Sequence, residues 1–129
     1  MQFTNFMDKY PVFSFELAKN ATSFTSTDEI INQLEAKVKA DPTAAFIGKF
    51  DHYAHTKALP EGEVASDILA AQHLIFCFGI KLPNPLAMAA RPRSIGVVEQ
   101  ADKFVISFME APNPKMTEKI KTWVKGLAS

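Results

Sequence analysis

Little in the sequence is extreme, and each scarcity closes a door. A single cysteine, Cys77, leaves no partner for an intramolecular disulfide, so a reducing compartment and a cytoplasmic location are expected. Net charge is absent, with 14 Lys and Arg against 14 Asp and Glu. The basic footprint that a phosphate backbone requires is therefore missing, and nucleic acid is not an expected partner. The longest uncharged run, Ile68 to Ile80, is too short to span a bilayer, and MQFTNFMDKY has neither a basic leader nor an apolar core, so no membrane span or signal peptide is expected. Glycines are few and scattered singly at 48, 62, 79, 96 and 126, which removes any phosphate-cradling loop. No serine sits in a nucleophile elbow.

What remains is a chain of ordinary globular composition, 47% hydrophobic and 22% charged, and its 129 residues suit a single domain over 1–129. Charge is weakly divided along it: residues 1–67 carry ten acids and six bases, while 81–129 carry four acids and eight bases. Two mutually attractive halves of one fold account for this.

Residues 11–18, PVFSFELA, alternate with Phe13, Phe15 and Leu17 on one face, which predicts a half-buried strand. Ser26 and Glu29 form a capping-box pair, and Ile30, Ile31, Leu34 and Val38 make the stripe of a helix ending before Pro42. TAAFIGKFDHY reads as a second strand, with Phe46, Phe50 and His52 on one face and Gly48 marking a bulge or close approach. A loop from Ala54 to Glu63 follows. The apolar run after Ser66 predicts a buried helix closed by Gly79, and Asn84-Pro85 starts a short third helix. SIGVVEQADKFVISFMEA predicts a hairpin whose register pairs Val97 with Ile106, and Asn113-Pro114 opens a last helix with Met116, Ile120, Trp123, Val124 and Leu127 on its buried face.

The order is β-α-β-α-(short α)-β-β-α. It predicts an α+β fold with a four-stranded mixed sheet and helices packed mainly on one face. Apolar residues on the opposite face, among them Ile47, Tyr53, Val98, Val105 and Met109, suggest a homodimer.

The blocks AAFIGKFDHYAHT, LIFCFG and LPNPLAMAARPRSIGVVEQADKFVISFMEAPNP resemble those of a small, full-length family of uncharacterised bacterial proteins, largely epsilonproteobacterial, known only as a domain of unknown function. The hairpin and its approach are more distantly similar to a broader group of small bacterial α+β domains that tend to dimerise. The resemblance implies a cytoplasmic, bacterial, dimeric protein and carries over no catalytic residue.

Two constellations carry chemistry. If the last strand runs parallel to the second, Asp51, His52, Tyr53, His55, Arg91, Arg93 and Glu110 gather at one end of the sheet, with Arg93 paired to Glu110. Two guanidiniums there could clamp a carboxylate or phosphate, which suggests a non-enzymatic binding module for a small anionic ligand. An acid/base enzyme using His52 or His55 with Glu110 is the weakest reading, since no nucleophile or cofactor motif accompanies it. The other constellation is His52, His55, His73 and Cys77, residue types that bind transition metals. His73 and Cys77 share a face at four-residue spacing, but regular strand periodicity points His52 and His55 apart. No cofactor is required by any of these patterns.

Overall fold

A computed structural model describes all of residues 1–129. Its elements are β1 (Gln2–Phe6), β2 (Tyr10–Ala18), α1 (Thr27–Ala40), β3 (Ala44–Asp51), α2 (His52–Ala58), β4 (Ala70–Phe78), β5 (Arg93–Glu99), β6 (Lys103–Met109) and α3 (Pro114–Lys125). Short 3₁₀ segments occupy Lys19–Ala21 and Pro85–Ala90.

The α+β class holds, but the sheet has six strands in the order β1-β2-β6-β5-β4-β3, and every neighbouring pair is antiparallel. This corrects the four-stranded mixed sheet and its element order. The strands β2 and β3 do point the same way, because four reversals separate them, yet they never touch. Helix α1 carries the chain across the sheet between them. Along the way β6 becomes antiparallel to β3.

One face of the sheet holds the core. Leu17, Leu74, Phe76, Phe78, Ile95, Val97, Phe104, Ile106 and Phe108 alternate along strands of seven to nine residues and meet Ile30, Ile31, Leu34 and Val38 of α1 and Ile120, Trp123 and Val124 of α3. The rings of Phe76 and Phe78 lie 5.9 and 5.3 Å from that of Trp123, which ties α3 to β4. The opposite face has no helical layer. Only α2 and the segment around Ala89 to Pro92 border it.

The caps behave as the sequence predicts. Ser26 Oγ accepts from the Glu29 amide at 3.1 Å, although the Glu29 carboxylate returns to Thr25, with the Thr25 amide 2.8 Å away, rather than to Ser26. Asn84 and Asn113 cap their turns from Ala87 and Lys115 amides. The Gln100 amide donates to the Lys103 carbonyl at 2.8 Å, and Val97 pairs with Ile106 as expected.

The apolar run Ile68 to Ile80 holds the inner strand β4, between β5 and the edge strand β3, and not a helix. It alternates after all: Leu74, Phe76 and Phe78 are buried, while Ala71, His73, Ile75 and Cys77 stand half-buried on the other face. With small or apolar residues on both faces, the period of two leaves no polar signature.

The bulge at Gly48 is present, as a register shift between Phe46 and Gly48 against β4. Its consequence is a reversal of parity. A one-residue insertion turns every later side chain to the other face. Phe46 pairs with Phe76 on the core face, whereas Phe50 pairs with His73 on the uncovered face, and Lys49 swings toward α1 to meet Glu35 at 2.9 Å. Phe46 and Phe50 thus do not share a face.

Candidate functional site

The antiparallel course of β6 divides the seven residues expected to converge. β3 ends with Asp51 opposite Gln72, near the start of β4, while β5 begins with Arg93 opposite Phe76, four residues further along β4. At 3.3 Å per residue that is about 13 Å along the strand. Asp51, His52, Tyr53 and His55 occupy one end of the sheet, and Arg91, Arg93 and Glu110 the other. His52 and Glu110 therefore form no acid/base pair.

At the arginine end, the expected ion pair is replaced by something else. Arg93 Nη2 donates to the backbone carbonyls of Met109 and Glu110, both at 2.8 Å, and Nη1 donates to the Ala90 carbonyl at 3.2 Å. The Glu110 carboxylate makes no salt bridge with it. Partial burial lowers the Arg93 pKa from its usual value. Arg93 is a tie between the end of β6 and the approach to β5, with most of its donors spent.

Arg91 is placed differently. Its Nη1 donates to the Lys81 carbonyl at 2.9 Å, and the guanidinium lies against Gly79, where an added Cβ would stand 3.1 Å from Nη2. Gly79 has φ +114°, in the region that favours glycine, and its amide bonds the Thr43 carbonyl at 2.9 Å. The glycine thus ends β4 and makes the floor on which Arg91 rests. Pro92, joined to Arg91 by a cis peptide, leads into β5.

Two adjoining clefts of about 100 and 400 Å³ open here, and both are lined by Gly79, Arg91, Asn113 and Met116. Arg93 lines the first and Lys81 the second, and no acidic side chain lines either. Asn113 caps α3, so the first turn of a 12-residue helix borders the same space.

The histidine end holds α2, a helix where the sequence predicts a loop from Ala54. Asp51 Oδ1 accepts from the Ala54 amide at 2.9 Å and starts it, but none of its residues is buried, so no apolar stripe announces it. The helix changes the relation between its histidines. His52 and His55, split by strand periodicity, become neighbours at helical spacing, with ring centroids 6.0 Å apart.

His73 reaches them from β4. Its Nε2 is 2.9 Å from His52 Nδ1, a hydrogen bond in which one imidazole carries the proton. Burial lowers the His73 pKa from its usual value, and the charge of a protonated His52 lowers it further. Phe50 touches all three rings, at centroid distances of 5.5, 5.4 and 6.2 Å from His52, His55 and His73. The four-residue metal set is thereby corrected: three histidines meet, and Cys77, four residues beyond His73 on the same strand face, lies about 13 Å along the strand. Tyr53 lines a small cavity of about 170 Å³ with His52, Thr56 and Ile68, and Lys57 lies over its ring.

His73 also ends a shallow groove of about 390 Å³ on the uncovered face, floored by Ser94, Gly96 and Ser107 and reaching Arg93 at its far end. No helix is long and apolar enough to cross a membrane.

The chain belongs to a family of unknown function (DUF6858), whose model matches residues 1–129. No curated protein and no solved structure matches it.

Proposed function

We propose that the protein is a non-enzymatic binding module that holds a small anion in the cleft beside Arg91 and works as a homodimer. The observation that supports the anion is the lining of that cleft: Arg91 and Lys81 with the first turn of α3, and no carboxylate among its walls. Arg91 spends Nη1 on the Lys81 carbonyl, so its Nη2 and Nε are the donors left for a carboxylate or phosphate. Arg93 positions the cleft wall instead of touching the anion, since its bonds run to three carbonyls. Adding inorganic phosphate to isotopically labelled protein tests the reading by amide shifts. Changes centred on Gly79, Arg91 and Asn113 to Met116 support it, whereas changes confined to scattered surface lysines argue against it.

For the dimer, the supporting observation is an edge strand without protection. Solitary edges are usually blunted by charge, proline or a bulge. The β3 edge has its bulge and Lys49, but β1, QFTNF, has none of these and every residue is exposed. Paired antiparallel about Thr4 with a second copy, β1 places Gln2 opposite Phe6 and brings no like charges together. Phe3, Phe6 and Tyr10 are 52%, 54% and 43% exposed. At roughly 200 Å² per aromatic side chain, they and the methionines at 1 and 7 supply about half of the roughly 800 Å² that each partner contributes to a stable interface. The paired backbone and β2 flank supply the rest. Sedimentation tests this: Asn5→Pro, which removes an amide that faces away from β2, yields a folded monomer if β1 is the interface, and an unchanged dimer or a monomeric wild type refutes it.

A further inference from the structure

The chain has three histidines, and all three gather round one ring, Phe50, at the end of the sheet opposite the anion cleft. This gathering depends on two local events, the bulge that turns Phe50 to the uncovered face beside His73 and the Asp51 cap that starts α2. We infer that His52, His55 and His73 form a binding site for a divalent transition-metal cation of the zinc, nickel and copper class.

The geometry is close to that of metal co-ligands. His52 Nδ1 and His73 Nε2 are 2.9 Å apart. Two nitrogens each about 2.0–2.1 Å from a tetrahedral zinc stand about 3.3–3.4 Å apart. Opening the pair by about 0.4–0.5 Å and tilting both rings admits the metal about 1.2 Å to one side of the line between the two nitrogens. The shared proton moves to the outer nitrogen of its own ring, so both imidazoles stay neutral and both inner lone pairs face the metal.

As the side chains stand, no three His, Cys, Asp or Glu groups are disposed to hold a metal. The third ligand is the exposed His55, three residues along α2 from His52 with its ring 6.0 Å away, and a rotation of that side chain closes the set. Water takes the remaining position. Three imidazoles without a carboxylate select the later first-row metals over magnesium or calcium, which demand oxygen ligands. Phe50 supplies an apolar wall on one side.

The test uses the full chain without a purification tag, titrated with zinc chloride by calorimetry and with cobalt chloride by visible absorption. One zinc per chain and the intense visible bands of tetrahedral cobalt are expected, with affinity falling about tenfold or more in each of His73→Gln and His55→Ala. Urea unfolding of both variants verifies that they are folded. His55→Ala changes an exposed residue and keeps the test valid should His73→Gln destabilise the sheet. Pale octahedral cobalt, or a zinc affinity unchanged in either variant, overturns the three-histidine site. Arg91→Ala leaves the zinc isotherm unaltered, so failure here and failure of the anion cleft are read separately.

Discussion

Replacing Gly79 by alanine tests how the end of β4 makes the floor of the anion cleft. Its φ of +114° lies where a side chain costs about 1–3 kcal/mol. The new Cβ would also stand 3.1 Å from Arg91 Nη2 and 3.4 Å from Cζ. A guanidinium at the end of a flexible side chain yields those few tenths of an ångström cheaply, so the backbone term dominates the stability and the Arg91 displacement dominates the binding. With a urea slope of about 1.5 kcal/mol/M, the midpoint of unfolding falls by about 0.7–2 M. Gly48→Ala is the control, because an added Cβ there meets nothing within 4 Å and its φ is unremarkable. That variant is neutral or stabilised by up to about 1 kcal/mol, since alanine loses less chain entropy on folding. Paired urea titrations with phosphate affinities decide the matter. A Gly79→Ala protein as stable as the parent, or one that loses stability but keeps full phosphate affinity, refutes the reasoning.

Two further outcomes follow from the packing. Leu34→Ala, at a fully buried position between α1 and the sheet, lowers stability by about 2–5 kcal/mol in the same urea assay. Asp41, only 9% exposed, ends α1 and meets Lys119 of α3 at 2.6 Å. Burial pushes its carboxyl pKa up, but the bonds from Lys119 and Thr43 outweigh that and hold it below the ordinary value. Its contribution is therefore present above the unfolded-state pKa near 3.8 and is lost as pH falls through the lower folded value. Asp41→Asn costs about 1–2 kcal/mol at pH 7, discounted because Lys119 is partly solvated, and this difference from the parent shrinks in acid.

The fold is legible in the sequence where one face alone is buried. β2, α1, the β5–β6 hairpin and α3 each set an apolar stripe against polar neighbours, and their caps use side chains whose reach is local. Elements are hidden where burial leaves no such contrast. β4 carries apolar or small residues on both faces, so its alternation is masked, and β1 and α2 bury nothing, so no stripe exists to find. Asp51, an N-cap residue ahead of HYAHTKA, was the one available signal for α2. The site suffered from topology. Whether β6 runs with or against β3 is decided by long-range pairing, and that choice separated Arg91 and Arg93 from His52 and His55. The same long-range pairing, through the parity reversal at Gly48, carried Phe50 to His73 and built a histidine cluster that spacing along the chain argued against.

Calorimetric titration of inorganic phosphate, with citrate as a carboxylate probe, into the parent and into Arg91→Ala at fixed salt addresses the anion cleft most directly. The expected result is one saturable site per chain for at least one of the two probes, weakened about tenfold or more in Arg91→Ala, in keeping with the about 1.5–3 kcal/mol of a hydrogen bond to a charged group. Absence of saturable heat with both probes, or an affinity that Arg91→Ala leaves unchanged, contradicts it.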